Sequence, residues 1–191
     1  SGRNNHGIIH GAKAVINEGR KALQFNGQND YVEIVDKGNL QLSGDALTVA
    51  FWVKILYWKG TDEFYLVGKY SSSKDTRFVV SLGGRKDSEK IKIYTTMDQK
   101  WKRIALKSSP LWLHKWYHVV WTYSPEGSVL YVDGIPQGKT VSGGRLGEVS
   151  GVPLKLGVGP FHGLLADLYI FNRALTEKEI KGLRLGNKNR V

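Results

Sequence analysis

Three acidic pairs in this 191-residue sequence have spacings that acid–base chemistry could use: Asp62-Glu63, Asp87-x-Glu89 and Glu177-x-Glu179. Cleaving a glycosidic bond takes two carboxyl groups facing the same bond, about 5–5.5 Å apart for retention and wider for inversion. Asp62 and Glu63 are adjacent, so on a strand they point to opposite faces. Asp87 and Glu89 lie in a charged turn beside Arg85, Lys86 and Lys90, and Glu177 and Glu179 fall on a predicted helix. Nucleophilic chemistry has no better start. The chain has no cysteine, which removes disulfides, thiolate metal sites and a Cys nucleophile. No Gly-x-Ser-x-Gly elbow occurs, and Ser142-Gly143-Gly144-Arg145 lacks the lysine and following helix of a phosphate loop.

The histidines give one candidate metal pair. His114 and His118 are four apart and would share a face of an extended strand. His118, however, sits in Trp116-Tyr117-His118-Val119-Val120, whose pattern is that of a core strand. His6 and His10 repeat the spacing in a Gly-rich opening without an obvious third ligand, and His162 falls in a turn, Pro160-Phe161-His162-Gly163.

Binding chemistry is better represented. Sugar rings stack their C–H faces on aromatic side chains while nearby polar groups take their hydroxyls. Trp52, Trp116 and Trp121 lie in apolar strand patterns and are expected to pack internally. Trp58 lies in Tyr57-Trp58-Lys59-Gly60, Trp101 stands between Lys100 and Lys102, and Trp112 follows Pro110. Tyr57, Trp58, Lys59, Lys100, Trp101, Lys102 and Trp112 are therefore the candidate ligand-binding residues. From Arg85 to Lys107 there are eight basic and three acidic residues, a net of +5. Lys90 and Lys92 share one strand face and Lys100 and Lys102 another, which would make a positive sheet surface if the strands were neighbours. Such a surface suits a sulfated or uronate glycan or an acidic protein, and is equally what a solvated sheet face looks like.

The whole chain carries 28 basic and 17 acidic residues, a net charge of +11, which favours an acidic partner. Basic and aromatic residues interleave, yet no RNA- or DNA-binding motif is present. No apolar run approaches the roughly 20 residues of a membrane-spanning helix. The opening Ser1-Gly2-Arg3-Asn4-Asn5 is polar and lacks a signal-peptide pattern. The chain reads as an excised piece of a longer protein.

The elements that must position these residues are almost all strands. Alternating or apolar runs occur at Tyr31–Val35, Leu47–Lys54, Arg77–Leu82, Lys90–Tyr94, Tyr117–Tyr123, Val129–Val132, Leu154–Val158 and Leu164–Phe171. Asp133-Gly134 between apolar flanks predicts a tight hairpin. One helix is expected at about 176–185: Thr176 with Glu179 makes a capping box, Leu175 with Ile180 a hydrophobic staple, and Gly186 a stop. The basic end, 186–191, reads as a tail. No linker or repeat divides the chain, so residues 1–191 read as a single all-β domain, two packed sheets with one short C-terminal helix.

Several of these segments, in this order, resemble the laminin G-like, concanavalin A-like jelly-roll superfamily. They are the opening loop Ser1–Gly7, the strand-turn-strand Lys21–Val32 with its Phe25-Asn26-Gly27-x-x-Asp30 turn, and Leu47–Val53. Trp116–Val120 with Leu130–Gly134 follow, and Gly163–Leu175 closes the set. The stretch from about Lys54 to Leu113 does not share the resemblance. It implies an antiparallel jelly-roll β-sandwich. Hydrolases of this architecture carry Glu-x-Asp-x-x-Glu on one strand, and no such pattern occurs here. The superfamily also implies a structural Ca²⁺, with Asn26 and Asp30 as candidate ligands. Against it, many relatives carry Asp where this chain has Ala166, and a one-residue shift to Asp167 turns the side chain to the other face. The expectation is a non-catalytic, extracellular or surface-exposed domain that recognises a glycan or glycosylated surface. The alternative is an adhesion or assembly domain of a cell envelope or virion, without a sugar site.

Overall fold

The computed structural model describes residues 5–36, 40, 42, 44–59, 62–72, 76–84, 90–97, 100–140, 146, 147, 149 and 151–186, with only the backbone at 96, 97, 100–103 and 105. The charged turn at Arg85–Glu89, the Ser142–Arg145 loop and the tail beyond Gly186 lie outside the described residues. The strands are β1 (Ile8–His10), β2 (Lys13–Asn17), β3 (Arg20–Asn26), β4 (Tyr31–Ile34), β5 (Leu47–Tyr57), β6 (Glu63–Tyr70) and β7 (Thr76–Gly83). They continue as β8 (Ile91–Met97), β9 (Lys100–Lys107), β10 (Trp116–Ser124), β11 (Gly127–Val132), β12 (Ile135–Thr140), β13 (Leu154–Val158) and β14 (His162–Phe171), and the chain closes on helix α1 (Glu177–Gly186). Two seven-stranded sheets result, β1-β4-β13-β6-β7-β8-β9 and β12-β11-β10-β5-β14-β3-β2. Every described pairing is antiparallel. This is the expected jelly-roll sandwich with one short C-terminal helix. Residues from about Lys54 to Leu113 supply β6 to β9, one whole side of the first sheet.

Alternation decides what faces inward. Leu47, Val49, Phe51, Val53 and Ile55 of β5 and Tyr117, Val119, Trp121 and Tyr123 of β10 meet Phe64, Leu66, Phe78, Val80 and Leu82 of the opposite sheet in one core. Trp121 is fully buried, as its pattern predicts, and donates its indole N–H to Ser128 Oγ at 2.6 Å. Between β11 and β12, Asp133 (φ 54°) and Gly134 (φ 78°) both adopt positive φ, the geometry that makes Asp-Gly the preferred tight hairpin.

The outer face of β5 is also covered, segment by segment. Thr48 Oγ1 donates to the Arg173 carbonyl at 2.7 Å and accepts from the Leu175 N–H at 3.0 Å. Ala50, Val120 and Tyr131 lie under Leu175 and Ile180, which bring α1 onto the sheet. The capping box forms: Thr176 N–H donates to Glu179 Oε2 at 2.9 Å, and Glu179 N–H returns to Thr176 Oγ1 at 3.4 Å. Glu179 also takes two bonds from the Arg173 guanidinium, which together with the cap hold its carboxyl down at about 2. Further along β5, the Arg20 guanidinium lies 3.9 Å over the Trp52 ring and 5.5 Å from that of Trp116. Lys54 reaches Asn17 Oδ1 at 3.1 Å and pairs with Glu18.

His118 sits between these two covers, on the outer face of β10 opposite Trp52, with 1% of its surface exposed. It does not share a strand face with His114, because β10 begins at Trp116 and His114 occupies a left-handed turn (φ 61°). Among the described residues the His118 Nδ1 has no hydrogen-bond partner. Burial pushes the imidazole from 6.5 down to about 4, against a smaller upward pull from Asp133.

Two predictions follow from this packing. Lys69 and Asp36 form an ion pair with both side chains 1% exposed, Nζ to Oδ2 2.7 Å, and Lys69 also donates to the Val152 carbonyl. Removing one partner of such a pair strands a buried charge. Asp36→Ala is expected to cost about 3 kcal/mol in urea unfolding, and a loss within experimental error would mean that the pair does not hold that loop. His118 is neutral when folded and protonates more easily when unfolded, so the unfolded chain binds more protons between the two values. Stability from this residue is complete above pH 6.5 and declines as pH falls toward 4. The decline is on the order of 3 kcal/mol in full. Unfolding curves across that window are expected to be flatter for His118→Leu than for the unsubstituted chain; parallel curves would contradict a neutral buried imidazole.

Candidate functional site

On the outer face of the first sheet β7 is buried along its whole length, and the surface is formed by Glu63, which is exposed, and by the half-buried Tyr65, Tyr70 and Tyr94. Alternation on β6, β7 and β8 turns Phe64, Val80, Leu82, Ile91 and Ile93 inward. It turns Glu63, Tyr65, Ser81, Lys92 and Tyr94 outward, and the register places them side by side: Tyr65 opposite Ser81, Ser81 opposite Lys92, and Val79 opposite Tyr94. Glu63 is the hub. Its Oε1 accepts from Ser81 Oγ at 2.7 Å, from the Tyr94 hydroxyl at 2.9 Å and from Lys92 Nζ at 3.1 Å. Gly84 makes room for this, since a Cβ there would stand 2.9 Å from Lys92 Nζ.

Two more tyrosines continue the face. Tyr65 and Tyr70 meet edge to face, ring centres 5.2 Å apart. The Tyr70 ring covers Gly68, where a Cβ would come within 2.8 Å of it. Burial first, then the Glu63 charge, raises the Tyr65 hydroxyl above its usual value. Burial first, then Tyr65, pushes Tyr70 up to about 12. Both phenols are therefore neutral donors at any physiological pH. The arrangement sets a carboxylate, held by three donors, beside aromatic rings on a sheet face.

The residues singled out from sequence divide between the two ends of the sandwich. Tyr57, Trp58, Lys59 and Trp112 lie at the end where β5 finishes, since the His114 N–H donates to the Ile55 carbonyl at 2.7 Å. Trp112 is 73% exposed and Tyr57 58%. Trp58 is half-buried against the core and donates its indole N–H to the Asp62 carbonyl at 3.1 Å, which also accepts the Gly84 N–H. It thereby ties the β5–β6 connection to the end of β7, next to Glu63. Lys100, Trp101 and Lys102 open β9 at the opposite end, paired with Met97, Thr96 and Thr95, and their side chains lie outside the described residues. The expected lysine surface is therefore split. Lys92 faces Lys107 rather than Lys100 or Lys102, and it is buried and paired with Glu63. Sequence reasoning weighed Glu63 only as an acid beside Asp62, and it missed Tyr65, Ser81 and Tyr94. Their period-2 spacing is visible, but which strands adjoin is not.

At the proposed calcium position, Asp30 is buried and its Oδ2 accepts the Asn26 N–H at 2.8 Å, while Asn26 Oδ1 accepts the Gln28 N–H at 2.8 Å. Both side chains close their own turn, and Asp30 Oδ1 abuts Gly11. Calcium takes about six to eight oxygens. No group of three or more Asp, Glu, His or Cys able to hold a metal occurs among the described residues. This donor set does not fit the ion. The one-residue shift to Asp167 is a β-bulge: between Ala166↔Trp52 and Tyr169↔Ala50, β14 has one residue more than β5. Asp167 adopts φ 49° and pairs with Arg20. Hydrogen bonds from Ser124 and its own backbone N–H hold the Glu126 carboxyl below the usual carboxylate range, as Arg173 and Thr176 hold that of Glu179.

Comparison with solved structures gives the same fold at low identity. The ligand-binding domain of botulinum neurotoxin serotype D in complex with N-acetylneuraminic acid superposes with a TM-score of 0.76 at 13% identity, over 99% of this chain and 48% of that one. Domain 4 of AbnA, a GH43 extracellular arabinanase from Geobacillus stearothermophilus, in complex with arabinotriose, gives 0.71 at 20% identity, over 93% and 87%. Trypanosoma rangeli sialidase in complex with the inhibitor DANA gives 0.68 at 20%, over 96% and 30%. The chain thus spans about half the length of the toxin binding domains it matches. No curated protein matches it in sequence. The laminin G-like family profile, however, matches residues 26–181. With that match over most of its length, and with the ordered strands and jelly-roll sheets behind it, the chain belongs to the laminin G-like family of the concanavalin A-like lectin/glucanases superfamily.

Proposed function

We propose that this chain is a non-catalytic glycan-binding domain of a larger secreted or surface protein. The observation that carries this reading is the outer face of the first sheet, where Glu63, fixed by Ser81, Lys92 and Tyr94, stands beside the Tyr65 ring. A sugar would stack on the rings while its hydroxyls bond to the carboxylate and phenols. The family, together with the sugars in the toxin-domain and arabinanase-domain complexes, supports it. The enzymes among the structural relatives match by fold alone, at 20% identity.

A glycan array that includes sulfated and uronate polymers tests this. A hit of defined structure is expected, weakened about tenfold or more by Glu63→Gln and by Tyr65→Ala, with Trp112→Ala close to the unsubstituted chain. An empty array, or a hit indifferent to Glu63 and Tyr65, sinks the reading. The exposure of Trp112 and Leu113 beside Tyr57 favours a second reading, a protein-docking end in an adhesion or assembly domain. In that case Trp112→Ala changes the oligomeric state or partner binding, and the array stays empty.

Calcium has no part in the proposed site. Thermal melts in calcium and in chelator are expected to share one midpoint; a higher midpoint in calcium would restore the ion at Asn26 and Asp30.

A further inference from the structure

The bulge at Asp167 has a second effect. Strands β3 and β14 pair from Asn26↔His162 to Leu23↔Leu165 and no further. Beyond Leu165 they part, and the gap leads into a cavity of about 330 Å³ between the sheets. Its inner walls are Phe51, Val67, Leu156 and Leu165, all buried and all apolar. Its mouth is formed by Ala14 and Lys21, both exposed, with Asp167 beside them.

Size and lining define what fits. Apolar cavities stay dry and take apolar guests, and one of about 150 Å³ accepts benzene. This cavity holds about twice that, enough for a single chain of roughly ten carbons and too little for a two-chain lipid. The charge at the mouth defines the other end of the guest. Asp167 is neutralised by its ion pair with Arg20, whereas Lys21 has no ion pair among the described residues, which leaves one ammonium.

We propose that this cavity binds a free medium-chain carboxylic acid, with its chain between the sheets and its carboxylate at Lys21. The site is separate from the Glu63 face, and the proposal does not depend on glycan binding. Calorimetric titration of the full chain with sodium decanoate, below its micelle concentration, tests it, with decylammonium as the charge control. Decanoate is expected to saturate one site and to bind about tenfold or more tighter than decylammonium. Ala14→Trp fills the mouth from an exposed edge position. It is expected to weaken decanoate by a similar factor while the melting temperature holds. Lys21→Glu is expected to reverse the preference between the two probes. No saturable decanoate binding, or undiminished binding by Ala14→Trp, overturns the site. Equal binding of the two probes overturns the role of Lys21.

Discussion

The structure depends on covering both faces of one strand. β5 lies at the centre of the second sheet, and from Leu47 to Ile55 every residue is buried. A sandwich core covers only the inward half of such a strand. The outward half, Thr48, Ala50, Trp52 and Lys54, needs cover from elsewhere, and each finds it in a segment remote in sequence. The loop before α1 takes Thr48, the helix takes Ala50, the Arg20 guanidinium takes Trp52, and the β2–β3 turn takes Lys54. The apolar area removed from water is the driving term. The capping box and the cation–π stack direct it to one arrangement.

That roof assigns roles to the rest of the molecule. Arg20 can lie on Trp52 because Asp167 holds its far side, and Asp167 is available because a bulge turns it out of the strand alternation. The same bulge parts β3 from β14 and leaves the cavity between the sheets. One inserted residue thus closes one surface and opens another. On the first sheet β6, β7 and β8 bring an exposed carboxylate and three half-buried tyrosines together over a buried serine and lysine.

Family membership and local chemistry answer different questions. The fold is shared by toxin binding domains, a carbohydrate-bound module of an arabinanase and a sialidase, so it does not select among binding, adhesion and hydrolysis. In this chain the family match, residues 26–181, runs through β6 to β9 although their sequence shows only a strand pattern, and β6, β7 and β8 carry the Glu63 face. The core draws on both sheets, β6 to β9 included, and the roof lies on the second.

The sequence by itself determined the sandwich, the inward residues of its main strands, the Asp133-Gly134 hairpin and the capped terminal helix. Each is written in local periodicity or in a turn whose backbone geometry few residues tolerate. It also determined that Trp52 and Trp121 are packing residues. What only the tertiary structure decided is which strands are neighbours. Alternation says that Glu63, Ser81, Lys92 and Tyr94 each face outward, yet their meeting depends on the order β6-β7-β8 and on register. The same holds in reverse for Lys100 and Lys102, which share a strand face with each other but start β9 at the far end from Lys92. Side-chain direction is a local property of a strand, while proximity across strands is set by pairing between segments that can lie anywhere in the chain.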